Sequence, residues 1–286
     1  MVKTYGDLFL SARRALLPTE GDNAAMAARE LLAFASGKST AAVIIDRDLY
    51  ASEQIEQRLN DCVARIVAGE PMAYILGRWS FYGLDLTVTP DVLIPRDDTM
   101  AVTDLAINAL RSITPPQRVL DLCTGSGCIG LAIAHQVSSA RVTLADISQE
   151  ALRIAKKNLS DLKLTGRVTT FEVDVRQPAP KFLGQFDLIV SNPPYVTSSE
   201  MRELEPSVQY YEPHLALDGG EDGLDFYRFI LQNYTQALKP GGKLCFEFGI
   251  SQHKAVGALL EEAGYTGVRF ASDYRGVVRA VMAEKN

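Results

Sequence analysis

Arg118-Val119-Leu120-Asp121-Leu122-Cys123-Thr124-Gly125-Ser126-Gly127-Cys128-Ile129-Gly130 is the stretch on which the fold turns. Residues 119–122 form a short apolar run. Gly125 and Gly127 can take positive φ and build a tight turn, and helical spacing then runs from 126 to about 137. The same alternation continues on the carboxyl side, with strands expected at 142–145, 168–173, 186–191 and 243–249. Helices are expected at 149–162, 226–238 and 252–263, and two further β segments at 268–271 and 277–282 close the chain. This rhythm predicts an α/β fold whose mainly parallel sheet carries helices on both faces. Ligands of such sheets bind beyond the carboxyl ends of the strands, where strand order reverses.

Amino-terminal to this region the pattern changes. Residues 1–70 show apolar residues at helical spacing, with Asp22 and Ser52 placed as N-caps and Gly37 and Gly69 as stops. A stretch at 71–96, broken by Gly77, Gly83, Pro90 and Pro95, predicts a β-hairpin around Phe81 and Leu84, and 99–111 is helical again. We therefore expect a helical domain at 1–72, a β-hairpin linker at 73–96 and an α/β domain at 97–286. Residues 196–224, polar and rich in glycine and proline, interrupt the strand–helix rhythm and are expected to be a structureless lid over the site.

Composition narrows the function classes. Of the 286 residues, 47% are hydrophobic and 22% charged, an ordinary globular balance. No apolar run approaches the ~20 residues of a membrane helix, and the first residues lack the apolar core of a signal peptide. Four cysteines without a C-x-x-C pair, and three scattered histidines, point to reduced thiols, no metal site and a cytoplasmic protein. Net charge is −6; residues 1–90 carry 9 basic against 11 acidic groups and the remainder 20 against 24. Neither part has the basic surplus of a protein that grips phosphates, so no direct nucleic-acid partner is expected.

The glycine turn is a nucleotide-type site of open specificity. Gly125, Gly127 and Gly130 match the spacing of a dinucleotide fingerprint, but Asp121 would repel a pyrophosphate on the helix N-terminus. A cationic ligand with a free amino group suits that carboxylate better. Asp146, closing the second strand, is placed to accept from ribose hydroxyls. Asp174 is placed to accept from an exocyclic amine, with Val175 beside the ring. Together these residues describe a site for S-adenosylmethionine. A second motif, Asn192-Pro193-Pro194-Tyr195, follows the fourth strand. Asn offers an acceptor and a donor, the prolines remove two backbone donors and fix φ, and Tyr supplies a flat surface. Asn-Pro alone would be a capped turn; all four residues after a buried strand suit a clamp for a planar nitrogen, whether amide or base.

With these motifs together, the chain resembles a class I S-adenosylmethionine-dependent methyltransferase, and more closely the protein-(glutamine-N5) methyltransferases of peptide chain release factors, the PrmC/HemK family. The resemblance extends over Gly69-Glu70-Pro71-Met72-Ala73-Tyr74-Ile75-Leu76-Gly77, Phe81-Tyr82-Gly83-Leu84, Val88-Thr89-Pro90-Asp91-Val92-Leu93-Ile94-Pro95-Arg96, Glu212-Pro213 and 216–223. It implies a Rossmann-like, seven-stranded sheet with a small N-terminal helical bundle that recognises substrate. It also implies methyl transfer to the glutamine of the Gly-Gly-Gln motif of class 1 release factors; a monomer is expected, since so large a partner must reach the cleft. Asn192, Pro193, Pro194 and Tyr195 would be catalytic and bind the substrate, with Phe81 and Tyr195 sandwiching the glutamine and Arg96 orienting backbone nearby. Asp121, Leu122, Cys123, Thr124, Gly125, Gly127, Asp146, Asp174, Val175 and Asn192 would hold the cofactor. Two positions depart from the family pattern: Asp97-Asp98 replaces Pro-Glu, and Cys123 replaces a glycine, a neutral exchange if its φ is ordinary. An N6-adenine or N2-guanine nucleic-acid methyltransferase is the alternative, opposed by the acidic charge; a cofactor-binding module without chemistry and an NAD oxidoreductase fit less well.

Overall fold

A computed structural model describes residues 3–286. The chain divides into two compact units, one ending at Gly77 and the other spanning Arg78–Asn286. In the first, α1 (Tyr5–Glu20), α2 (Ala24–Ser36), α3 (Thr40–Ile45), α4 (Glu53–Val67) and α5 (Met72–Leu76) bury one shared apolar core. Helix starts are built by local chemistry. Thr4 accepts from the Asp7 N–H at 3.1 Å while the Asp7 carboxylate accepts from the Thr4 N–H at 2.9 Å, a reciprocal cap for α1. Ser52 caps α4 as expected. Asp22 does not cap α2: Gly21–Asn23 form a 3₁₀ turn, and Asn23 at the helix start makes no side-chain cap bond.

The second unit opens with the hairpin of β1 (Arg78–Phe81) and β2 (Leu84–Thr87), turned by Tyr82 and Gly83 at φ 52° and 77°. Phe81, Leu84 and Leu86 lie in the same buried cluster as Val102, Ala106 and Leu110. The stretch read as a linker thus contributes core to the second unit, because its alternating apolar face has a partner there. The unit continues through α6 (Met100–Leu110), β3 (Arg118–Leu122), α7 (Cys128–Gln136), β4 (Arg141–Asp146), α8 (Gln149–Asp161), β5 (Val168–Glu172) and β6 (Phe186–Ser191). After these come α9 (Pro206–Tyr211), α10 (Asp225–Tyr234), β7 (Leu238–Glu247), α11 (His253–Glu262), β8 (Tyr265–Ser272) and β9 (Val278–Lys285). The seven-stranded sheet has the order β5-β4-β3-β6-β7-β9-β8, parallel except where β9 runs antiparallel to β7 and β8. The α/β architecture read from the alternation is the one observed.

Strand β7 begins at Leu238, five residues before the expected start, and its register against β6 slips across Lys239–Gly242. The Pro-Gly-Gly run that reads as a break is absorbed as an irregularity at the strand entry. Strand order reverses between β3 and β6, which place Leu122 opposite Ser191. The Ser191 hydroxyl donates to the Leu122 carbonyl at 2.7 Å and locks the two carboxyl ends together. The glycine turn leaving β3 and the Asn-Pro-Pro-Tyr loop leaving β6 are therefore neighbours.

Candidate active site

A cavity enclosing roughly 1050 Å³, open mouth included, lies at this carboxyl edge, large enough for a nucleoside-sized ligand. Its wall includes Cys123, Thr124, Gly125, Asp146, Asp174, Val175, Asn192, Pro194 and Arg96, all expected from the sequence. Asp121, Leu122 and Gly127 do not line it. Leu122 is core, and a side chain at Gly127 would crowd Leu131 and Leu144. Asp121 is fully buried; one carboxylate oxygen accepts from the Thr124 hydroxyl at 2.6 Å and the Gly130 N–H at 2.9 Å. It shapes the turn instead of facing the ligand directly. Burial pushes its carboxyl up to about 7, against those two hydrogen bonds. Gly130 is required by packing, since a Cβ there would stand 2.2 Å from a Leu144 methyl and 2.9 Å from the Asp121 carboxylate.

The turn is also held from the next strand. Asp146 accepts the Gly125 N–H at 2.9 Å with one oxygen and the Ser148 N–H at 3.0 Å with the other. Each oxygen keeps a second lone pair for a ligand hydroxyl. Ile147, next to it, is a partly exposed apolar wall residue that the sequence reading passed over; an exposed isoleucine after an acidic strand end was the available signal. Asp174 is paired by Arg176, whose Nε stands 2.8 Å from one oxygen, and this holds its carboxyl below the usual range. Cys123 takes φ 56°, so its exchange for glycine is not neutral: an L-residue occupies a left-handed position.

At the Asn-Pro-Pro-Tyr end, Pro193 is buried and Pro194 forms wall. Tyr195 packs on the core cluster and its carbonyl accepts from Gln252 Nε2 at 3.0 Å, so it is not on the cavity wall. Phe81, 1% exposed in the core, cannot sandwich a substrate with it; its place in the hairpin's apolar alternation was the better guide. Apolar wall is supplied here by Pro194, Pro213 and Leu215. Arg96 pairs with the buried Glu212, which also accepts the Ile94 N–H at 3.1 Å. That joins the 88–96 segment to the lid. Asp98 is not on the cavity wall; it pairs with Arg279 at 2.6 Å and Arg275 at 2.9 Å, at the end of the β8–β9 hairpin.

The lid is built, not structureless. Residues 196–224 contain α9 and two short 3₁₀ turns, and Val196 bridges Asp218, with the Gly219 N–H donating to the Val196 carbonyl at 2.8 Å. A Cβ on Gly219 would lie 2.7 Å from Tyr195 Cα, so this segment packs directly on the clamp backbone.

The reversal of strand order, the glycine turn with an acidic residue closing the next strand, and the Asn-Pro-Pro-Tyr loop beside them define a Rossmann-like methyltransferase. The family model of the methyltransferase small domain matches residues 98–205, and that of the PrmC N-terminal domain matches 7–77. A release factor glutamine methyltransferase of Caulobacter vibrioides is 36% identical, over 100% of this chain and 98% of its own length. One of Geobacter sulfurreducens is 39% identical over 91% and 89%. The chain belongs to the release factor glutamine methyltransferase family. Among solved structures, the hMettl16 catalytic domain in complex with MAT2A 3'UTR hairpin 6 superposes with a TM-score of 0.55 over 81% of this chain and 82% of that one. At 14% identity this is a likeness of fold.

Proposed function

We propose that the protein transfers a methyl group from S-adenosylmethionine to the side-chain amide nitrogen of the glutamine in the Gly-Gly-Gln motif of class 1 peptide chain release factors. It does so as a monomer without binding nucleic acid. The observation that carries this reading is the adjacency of the Gly125 turn and the Asn192 clamp across the β3–β6 reversal.

The residues fit the cofactor. Asp146 presents acceptors for ribose hydroxyls, Val175 and Ile147 supply apolar wall for a ring, and behind the turn the buried Asp121 keeps one oxygen without a hydrogen-bond partner. Bound S-adenosylmethionine supplies an electrophilic methyl on a cationic sulfur. The chain's own work is to orient the acceptor. An amide nitrogen is a poor nucleophile because its lone pair is delocalised into the carbonyl. The Asn192 side-chain carbonyl and the Pro193 backbone carbonyl accept the two amide hydrogens and aim the nitrogen's face along the cavity. Positioning of this kind can supply ~7–11 kcal/mol. No strong base is required, since the nitrogen becomes acidic once methylated, and His214, bonded to the Gln209 carbonyl, takes no part.

The test is incubation with labelled S-adenosylmethionine and purified release factor, followed by mass spectrometry of the Gly-Gly-Gln peptide. One methyl on the glutamine is expected, lost with Asn192→Ala. Label in DNA or RNA, with none in release factor, would sink the proposal.

A further inference from the structure

Asn192 can serve as an acceptor toward the substrate only if its amide is turned the right way, and its two ends are nearly the same shape. What surrounds it decides the orientation. Ser191 pairs with Phe246 across β6 and β7, so Asn192 and Glu247 come one step later on adjacent strands. Glu247 is 1% exposed, is not on the cavity wall, and has one carboxylate oxygen without a hydrogen-bond partner. The Thr99 hydroxyl and the Asn192 side chain both favour the charged form of that carboxyl. Asn192 Nδ2 also stands 3.4 Å from Thr99 Oγ1. If Thr99 donates to the carboxylate, its lone pairs are left facing Asn192, so both neighbours on that side accept.

Resting on the proposed amide methylation, we infer that Glu247 is a positioning residue: its carboxylate, directly and through Thr99, holds the Asn192 NH₂ away from the cavity and leaves Oδ1 as the atom offered to the substrate. Other groups around Glu247 set its charge. Arg279 from β9 favours the carboxylate, while Asp98 beside Thr99 opposes it. Tyr195 of the clamp, Tyr227 of α10 and Cys128 of α7 are close enough to feel it, and the Tyr227 hydroxyl donates to the Glu247 backbone carbonyl at 2.8 Å. Burial outweighs the favourable terms and pushes the Glu247 carboxyl up to about 7. Once protonated, Glu247 can donate to Asn192 Oδ1, and the orienting force reverses.

The experiment compares wild type with Glu247→Gln, which keeps the shape but offers both donor and acceptor at every pH. In wild type, kcat on intact release factor should rise with pH through a midpoint near 7 at saturating cofactor. In the variant kcat should fall roughly 10-fold or more at high pH and lose that limb, with cofactor affinity by calorimetry unchanged. The free enzyme gives a readout that needs no substrate: the Asn192 side-chain amide resonances should shift with the same midpoint in wild type and stay fixed in Glu247→Gln. A pH-independent wild-type resonance, or a variant with wild-type kcat and its acid limb, overturns the inference. Absence of methyl on release factor from wild type, with the resonance still titrating, faults the proposed substrate and leaves the positioning role standing.

Discussion

At Cys123 the backbone takes φ 56° on the wall of the cavity, a conformation that costs an L-residue about 1–2 kcal/mol and costs glycine almost nothing. Cys123→Gly should therefore stabilise the protein by about 1 kcal/mol after the extra freedom of glycine in the unfolded chain is subtracted, seen as a higher denaturation midpoint with an unchanged slope. Asp121 gives a pH-dependent prediction. Its carboxyl is raised by burial to about 7, so the folded state binds more protons than the unfolded state between roughly pH 4 and 7, and the stability it contributes at low pH is lost as pH rises. The stability of Asp121→Asn relative to wild type should grow by up to about 1.4 kcal/mol per pH unit over that window and level off above it, in denaturation series from pH 5 to 8. The places of Asp146 and Asn192 on the cavity wall were legible from the ends of their strands. Those of Asp121 and Phe81 were not, because a strand pattern shows that a residue alternates but not which neighbour its side chain meets.

Among the elements, the lid is where sequence and structure part furthest. Residues 196–224 lack periodicity because their order comes from tertiary contacts: the Val196–Asp218 bridge, the Glu212 pairing with Arg96 and Ile94, and glycines pressed onto backbone. Gly219→Ala would place a methyl 2.7 Å from Tyr195 Cα and 2.8 Å from the Pro194 carbonyl oxygen, atoms that cannot rotate aside. We expect a loss of about 1–3 kcal/mol in stability and a fall in kcat on the order of 100-fold as the clamp shifts. An equally active variant in a steady-state assay would contradict the view that lid and clamp are one structure. The strands of the sheet, by contrast, were legible as elements because apolar runs between glycine turns leave few readings. Their ends were less so, as at Leu238, where pairing with Phe186 extends β7 over a Pro-Gly-Gly run.

For the whole molecule, alternation along the chain was enough to give the sheet. The first unit runs to Gly77, beyond the expected end at 72, and the second begins at Arg78, not at 97, since the hairpin's apolar face belongs to the second core. Asp98 was open in the sequence; its ion partners, Arg275 and Arg279, stand some 180 positions away in the chain, which no local pattern could reveal. The proposed chemistry turns on Asn192 receiving an amide hydrogen of the substrate glutamine beside the cofactor turn. A crystal structure of the protein with S-adenosylhomocysteine and a release factor tests this. The Gly-Gly-Gln side-chain nitrogen is expected about 3 Å from Asn192 Oδ1, with the cofactor ribose at Asp146; a glutamine amide bound away from Asn192, or with Asn192 Nδ2 turned toward it, would overturn the proposal.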